Sequence, residues 1–219
     1  MTPTDAPLPP GAALAGIPSG IRATGPWAGR RQLFVRFAGI AETATMFTAD
    51  ALRTEIVRLV QRSVYHSIAI CGGDPLGEAD FLAEALEGGM PLGVLLDHDG
   101  QRPEALDRVI ESLALVQVTM TGAEDEAAVT RVMTTLRRAA DKHVAHAIAL
   151  MPEADASDGR LLRIVEQVQE ASGDTSVVVH PTMESMTSDR SWLAWLERAT
   201  SVHGDVRLLA RLPEPTGMR

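Results

Sequence analysis

The sequence is poor in cysteine and in long apolar runs. Its 219 residues include a single cysteine, Cys71, so an internal disulfide framework is excluded. No apolar run approaches the roughly 18 residues that span a bilayer, and the first residues carry no basic start typical of a signal peptide. We therefore expect a cytoplasmic protein that has no membrane partner.

Positive charge is also scarce. Twenty Lys and Arg residues stand against 29 Asp and Glu residues, which gives a formal net charge of -9. Phosphate backbones are bound mainly by Lys and Arg, so we expect no nucleic-acid partner. Lys142 is the sole lysine, and the arginines that remain suit planar recognition of carboxylate or phosphate groups.

Familiar catalytic motifs are missing. The chain contains no G-x-S-x-G elbow, no H-E-x-x-H pair and no G-x-x-x-x-G-K-[ST] phosphate loop. The sequence leaves open whether a reaction is catalysed at all, and which one.

What the chain does contain is a regular alternation of short apolar runs and amphipathic helical patterns. This order predicts an α/β fold in which helices pack outside a mostly parallel sheet, and seven strands with six helices fit a partial (β/α) TIM-like barrel. We expect residues 1–18 to be a disordered Pro/Ala/Gly-rich leader and residues 19–219 to be a single domain. The strands are predicted at 32–37, 67–71, 92–96, 115–120, 145–150, 175–179 and 206–212, and the helices at 49–62, 78–87, 103–113, 125–142, 159–172 and 191–202.

Polar residues collect where these strands end, which is the edge of a (β/α) barrel that carries its sites. We predict that a small-molecule ligand is bound there. The candidate substrate-binding residues are Arg36, Asp97, His98, Thr119 and Arg211.

Two of these strand ends allow alternative interpretations. Asp97, His98 and Asp99 could ligate a divalent ion, but adjacent strand residues point to opposite faces, so we expect a solvated turn and no metal. Arg36 lies in an apolar strand and needs a partner, which is either an acidic residue such as Asp74 or Asp97 or an anionic ligand.

The turn Gly72-Gly73-Asp74-Pro75 also has two interpretations. Its glycines let the backbone approach a ligand closely, or Asp74 favours the start of the following helix. Cys71, next to the glycines, is expected to be a buried inert thiol. Trp192 and Trp195 are expected to lie in the core or at a dimer contact.

Several motifs together resemble one family. They are the Gly-Pro-aromatic-x-Gly turn within residues 19–30, the FVRFAG segment at 34–39, ICGGDPL at 70–76, the strand ending in DHDG at 91–100, VVVHP at 177–181 and the closing segment 207–219. In this order they are similar to the radical S-adenosylmethionine enzymes, and more narrowly to the group of 7-carboxy-7-deazaguanine synthases and organic-radical activating enzymes.

The resemblance implies a partial barrel and S-adenosylmethionine as cofactor, held by Gly72, Gly73, Asp74, Pro75 and His180. It also implies that Arg36 binds a substrate carboxylate and that the protein is a homodimer.

The family's three cluster cysteines correspond to Ile40, Ala44 and Phe47 in this chain. None of these side chains binds iron, because cluster ligation needs thiolates. We therefore expect no iron-sulfur cluster, and we expect the apolar segment 40–46 to collapse into the vacated space.

Three functional classes follow. The first is a cluster-free relative that binds S-adenosylmethionine or another small nucleoside without radical chemistry. The second is a noncatalytic partner of a true radical enzyme or biosynthetic enzyme. The third, least favoured, is a radical enzyme whose cluster ligands come from a partner chain. A polar, accessible barrel mouth would favour the first class, and a mouth plugged by apolar side chains would favour the second.

Overall fold

The computed structural model describes residues 11–153, 156–188 and 191–211. In these ranges ten strands form one sheet, in the order β10-β9-β8-β7-β6-β5-β3-β1-β4, with β2 also paired to β3. The strands are β1 (Gly11–Gly16), β2 (Ser19–Ile21), β3 (Arg31–Phe37), β4 (Thr45–Thr48), β5 (Ser67–Gly72), β6 (Val94–His98), β7 (Leu115–Met120), β8 (His146–Leu150), β9 (Ser176–Val179) and β10 (Val206–Leu208).

Helices connect the parallel strands. They are α1 (Ala49–Val60), α2 (Ala79–Leu86), α3 (Glu126–Asp141), α4 (Asp158–Ala171), α5 (Met183–Ser188) and α6 (Ser191–Val202). Strands β3 and β5 to β10 pair in parallel, each with its neighbour, and the path ends at β10 and β4 without closing. The predicted α/β class, a partial barrel with mostly parallel strands, is confirmed.

Side-chain alternation gives the sheet two different faces. On one face, which we call the helix face, residues such as Leu33, Leu96 and Val118 are fully buried in the clusters that also contain helix residues. The opposite face, the loop face, carries Ala69, Leu95, Leu115 and Ala147, against which Trp27 and Phe34 pack. Residues 22–30, here called the crossing loop, therefore cover part of the loop face.

The amino-terminal region differs from the expectation. Gly11–Gly16 and Ser19–Ile21 are strands that pair antiparallel with β3 and β4, so the predicted leader is wrong from residue 11 onward. Ala12 and Leu14 are each 1% exposed. This apolar alternation is short and lies in a segment rich in Gly, Ala and Pro, so the sequence did not indicate a strand there. Residues 1–10 of the predicted leader lie outside the described residues.

Other predicted boundaries hold with small shifts, apart from the connection after β6 and the end of the last strand. That strand was predicted to reach residue 212 but ends at Leu208, and residue 212 lies outside the described residues. The helix predicted at 103–113 is instead two short 3₁₀ helices, Ala105–Arg108 and Ile110–Ser112. In the part of the chain that the structure describes, no helix combines the length and apolarity needed to cross a membrane.

The tryptophan pair on α6 belongs to the core. Trp195 is fully buried, and its ring meets that of Trp192 edge to face with centroids 5.9 Å apart. Of the two interpretations of this pair, core packing is the one seen, and the buried Trp195 side chain is not available for a dimer contact.

Candidate ligand-binding site

Two adjoining cavities lie where strands β3, β5, β6 and β7 end. The first, of about 280 Å³, is lined by the turn at residues 72–76 together with Asp97, His98, Asp99, Arg102 and Thr119. The second, of about 420 Å³, shares Gly73, Asp74 and Asp99 with it and adds Ala38, Gly39, Ile40 and Gln101. We call the two together the strand-end cleft. The cleft contains the predicted Gly72–Pro75 turn. It also contains three of the predicted substrate-binding residues, Asp97, His98 and Thr119.

The two glycines of the turn are required by its backbone. Gly72 has φ +82°, and a Cβ built on it would lie 2.5 Å from the carbonyl oxygen of Phe37. A Cβ on Gly73 would lie equally close to the carbonyl oxygen of Ala38. Since no side chain fits at either position, the glycines bring the end of β3 against the turn and leave its backbone exposed in the cleft.

Asp74 combines a local role with an accessible carboxylate. Its Oδ1 accepts a hydrogen bond from the Gly77 amide at 3.0 Å, which caps the short 3₁₀ helix Pro75–Glu78. Its Oδ2 accepts one from Arg102 Nε at 2.6 Å, and both side chains are about half exposed, 52% for Asp74 and 50% for Arg102. The helix-start interpretation is therefore correct, and the exposed carboxylate remains open to a ligand.

Asp97 is the centre of a buried polar network on the loop face. Its Oδ2 pairs with Arg22 Nη2 at 2.7 Å, while Oδ1 accepts a hydrogen bond from Thr119 Oγ1 at 2.7 Å and a longer one from Gln117 Nε2 at 3.3 Å. Arg22 and Gln117 were missed by sequence reasoning. The alternation along β7 would have placed Gln117 on the same face as Thr119. No sequence pattern near Arg22 indicated that its side chain reaches Asp97.

Arg36 is not partnered as expected. Its side chain is 48% exposed and its Nη2 lies 3.2 Å from Glu42 Oε1. The predicted pairing with Asp74 or Asp97 is wrong, because Arg102 and Arg22 already neutralise those carboxylates. Arg36 stands at the solvent end of β3, where charge needs no buried partner.

His180 and Arg211 lie away from the cleft. His180 is fully buried, and its Nε2 accepts a hydrogen bond from the Gly25 amide of the crossing loop at 2.8 Å. Burial, with the charges of Arg211 and Arg22 adding to it, lowers the pKa of His180 to about 4. The guanidinium of Arg211 donates to the carbonyl oxygen of Pro152 at 3.4 Å. Neither residue is among those that line the two cavities.

His98 is one of the residues that line the smaller cavity. It is 8% exposed, and its Nδ1 accepts a hydrogen bond from the Gly100 amide at 3.1 Å. Burial lowers the pKa of His98 although Asp97, Asp99 and Asp74 act in the opposite direction. Asp99 accepts hydrogen bonds from both the amide and the side chain of Gln101.

The segment that follows β3 does not collapse. Ile40 is fully exposed and Met46 is 67% exposed, so the expected burial of residues 40–46 is wrong. Thr45–Thr48 pairs with β1 as a strand, and Glu42 accepts a hydrogen bond from the Gly39 amide at 2.9 Å. The strand pairing and the Glu42 side-chain contact hold the segment outward, and Ile40 lies at the rim of the larger cavity.

The residues present do not fit an iron-sulfur cluster. Ile40, Ala44 and Phe47 offer no donor atom, and burial, followed by the charge of Asp97, raises the pKa of the Cys71 thiol to about 11. Within residues 11–153, 156–188 and 191–211 no three His, Cys, Asp or Glu side chains are grouped so as to hold a metal ion. The chemistry of these side chains supplies no set of thiolates.

Comparison with known proteins gives two similarities. No protein-family model matches the chain. Over 120 residues it is 35% identical to 7-carboxy-7-deazaguanine synthase from Methanothermobacter thermautotrophicus, covering 48% of each protein. The chain thus spans about half the length of this curated relative, to which it is homologous over that stretch. A solved structure, QueE from Escherichia coli, covers 76% of the chain and 93% of its own length, with 14% identity and a TM-score of 0.42.

Proposed function

We propose that this homologue of 7-carboxy-7-deazaguanine synthase binds S-adenosylmethionine, or a related small nucleoside, in the strand-end cleft without radical chemistry. The observation that carries the proposal is the cleft itself. It joins the exposed backbone of Gly72 and Gly73 to the carboxylate of Asp74, and it is an open cleft whose lining combines charged and apolar residues. An amino-acid headgroup needs this combination of amide, carbonyl and carboxylate groups.

Size and charge support the same ligand class. The larger cavity, about 420 Å³, falls within the range of pockets that take small molecules. Asp74, Asp97 and Asp99 line the cleft, while Arg102 and, behind Asp97, Arg22 are the cations paired with two of them. The local excess of negative charge favours a cationic ligand such as a sulfonium or an ammonium group.

The absence of radical chemistry is proposed from the donor set. Reductive cleavage of S-adenosylmethionine needs an electron from a cluster, and the positions that would ligate it are Ile40, Ala44 and Phe47. A thiol at position 71 with a pKa near 11 is protonated at neutral pH and is a poor metal ligand. A cluster held by a partner chain remains the least favoured alternative.

A noncatalytic interaction partner is the second candidate function. It is favoured by one observation, the exposure of Ile40 and Met46 on the segment after β3, since exposed apolar side chains mark contact surfaces when they cluster. Self-association belongs to the same proposal. Light scattering at micromolar protein tests it, and a monomeric mass would remove the homodimer while leaving the ligand proposal in place.

Thermal denaturation with ligand tests the first candidate. Without an iron anchor we expect a Kd on the order of 100 μM, so 1 mM S-adenosylmethionine should stabilise the fold by about 1.4 kcal/mol. For a domain of this size the midpoint should rise by about 3 to 5 °C. Asp74→Ala should abolish the rise.

The matched control is Asp80→Ala. Asp80 also forms an exposed ion pair, with Arg108, but it lies outside the cleft. This variant should keep the full ligand-induced rise, measured against its own ligand-free midpoint. If neither S-adenosylmethionine nor S-adenosylhomocysteine shifts the wild-type midpoint at 1 mM, the binding proposal fails and the interaction-partner candidate replaces it.

A further inference from the structure

Another cavity, of about 460 Å³, lies at the opposite end of the sheet from the strand-end cleft. We call it the amino-end cavity, because its walls include the first residues of β7, β8 and β9, which are Leu115, His146 and Ser176. Trp27 of the crossing loop forms another part of the wall. The cavity shares no lining residue with the strand-end cleft, and its volume falls within the range of pockets that take small molecules.

One part of the cavity wall is aromatic and apolar. Trp27 is half-buried and packs on the loop-face cluster that contains Leu115. Its ring meets that of His66 edge to face, with centroids 4.9 Å apart. Pro26 and Val144 extend the apolar lining. These contacts hold an indole beside the cavity, and an indole ring offers apolar surface that also attracts cations.

The polar part of the wall carries a carboxylate without a cation. Asp174 is exposed, and its carboxylate makes no hydrogen bond or ion pair with any described residue. No lysine or arginine is found among the described residues that line the cavity. Its two histidines, His143 and His146, could supply positive charge only when protonated, and an ordinary imidazole is neutral at pH 8. At that pH the wall therefore has an excess of negative charge.

The end of α3 adds to this negative potential. Ala140, in the last turn of α3, lines the cavity, and the carboxyl end of a helix carries partial negative charge that favours cations. Of the basic side chains at this end, Arg138 pairs with Asp107. Lys142 pairs with Glu111, and none of these four residues lines the cavity. The helix end is thus left without a cation on the cavity side.

We infer that the amino-end cavity binds a small organic cation, an ammonium group attached to an apolar or aromatic body. The ammonium group lies against Asp174 and the carboxyl end of α3, and the apolar body lies against Trp27. This site is separate from the strand-end cleft and does not depend on the function proposed for that cleft.

Three probes that differ in the charge of one end group test the inference. They are 2-phenylethylammonium, 2-phenylethanol and phenylacetate, titrated into the full chain at pH 8 while the methyl NMR signals of Leu115 and Val144 are followed. The ammonium should bind with a Kd on the order of 1 mM. The alcohol should bind about three- to ten-fold more weakly, and phenylacetate should shift neither signal at about 10 mM.

Substitutions separate the charge from the ring. Asp174→Asn keeps the shape of the side chain, so it should weaken binding of the ammonium by about two- to five-fold and leave binding of the alcohol unchanged. Asp141→Asn is the matched control, since Asp141 is an exposed carboxylate at the end of α3 that is not part of the cavity wall. It should bind all three probes as wild type does. Trp27→Leu should weaken binding of both the ammonium and the alcohol, because both lose the indole surface.

Every outcome decides the inference. Equal affinity for the three probes overturns it, and so does an Asp174→Asn variant that binds the ammonium as tightly as wild type. Absence of any ammonium-induced shift at Leu115 and Val144 overturns it as well. If Asp74→Ala abolishes binding of the ammonium, the cation occupies the strand-end cleft and the inference fails. None of these results bears on whether S-adenosylmethionine raises the melting temperature, so the two proposals stand or fall separately.

Discussion

Two Arg–Asp pairs at the strand ends have nearly the same geometry and very different surroundings. Arg22 and Asp97 meet at 2.7 Å with side chains 5% and 19% exposed, whereas Arg102 and Asp74 meet at 2.6 Å with side chains 50% and 52% exposed. An exposed pair contributes little to stability, but removal of one partner from a buried pair leaves an uncompensated charge. The two pairs therefore differ in burial and not in distance, and burial determines how much each contributes to stability.

The difference also divides the polar residues by role. The buried pair ties the crossing loop to β6, and the Gly25–His180 hydrogen bond ties the same loop to the end of β9. The exposed pair stands in an open cleft, where a ligand can replace one of its partners at little cost. We infer that the buried Arg22–Asp97 pair stabilises the fold and that the exposed Asp74 side of the strand-end cleft binds the ligand.

The largest expected effect comes from breaking the buried pair. Arg22→Met should lower the free energy of unfolding by about 3 kcal/mol, because Asp97 is left buried without its cation. The melting temperature should then fall by roughly 6 to 12 °C. Chemical and thermal denaturation measure both quantities.

Arg102→Met is the matched control. It removes the same kind of cation from the exposed pair, and its melting temperature should stay close to that of wild type. Adding Asp97→Asn to Arg22→Met should recover part of the lost stability. Equal losses for Arg22→Met and Arg102→Met would contradict the comparison.

A substitution in the crossing loop has the next largest effect. Gly25 has φ +76°, and a Cβ there would lie 1.8 Å from Gln117 Oε1, so Gly25→Ala should cost about 2 to 3 kcal/mol. Gly29→Ala is the control, since Gly29 has φ +81° but no atom within 4 Å of the added Cβ. It should cost about 1 kcal/mol from backbone strain alone. Similar losses would show that the loop is not packed against β7.

Acid should destabilise the loop-face region through His180. Its pKa is lowered from 6.5 to about 4 in the folded protein, so the unfolded chain binds the proton more tightly. This contribution to stability is full above pH 6.5 and is lost as the pH falls from 6.5 toward 4. The melting temperature should therefore drop between pH 7 and pH 5, a window above the normal pKa of carboxylates.

His180→Gln tests that assignment. Its melting temperature should depend less on pH over the same window than that of wild type. His98, whose pKa burial also lowers, should supply the dependence that remains. An unchanged slope in His180→Gln would remove His180 as the cause.

The smallest expected effect concerns Cys71. Because its thiol pKa is raised to about 11, alkylation by iodoacetamide at pH 8 should be much slower than in the urea-unfolded chain. Cys71→Ser should leave the ligand-induced rise in melting temperature unchanged. Rapid modification of the folded protein would show that the thiol is ionised and the site around it open.

The sequence predicted the elements that depend on local pattern. Asp97 and Thr119 lie on neighbouring parallel strands with the same side-chain parity, so their contact follows from the order of strands and the pleat. Gly72 and Gly73 indicated a turn in which the backbone comes too close to its neighbours for a side chain to fit. The alternation of apolar runs predicted the parallel strands to within a few residues.

The errors share a physical cause: contacts from residues far away in the sequence replaced the partners that were expected. Arg36 was expected to face an anionic ligand or an acidic residue such as Asp74 or Asp97. Its acidic partner is Glu42, because Arg102 and Arg22 reach the other two carboxylates from 28 and 75 residues away. Ile40 was expected to be buried, yet pairing of β4 with β1 holds the segment outward. Neither result could be derived from hydropathy or residue spacing.

Titration of iron-depleted protein with S-adenosylmethionine tests the central claim most directly, that the strand-end cleft binds its ligand without a cluster. Calorimetry should give a Kd on the order of 100 μM. The value should not change after anaerobic incubation with iron and sulfide. Binding that appears only after that incubation, accompanied by bound iron, would contradict the claim, and so would the absence of binding at millimolar ligand.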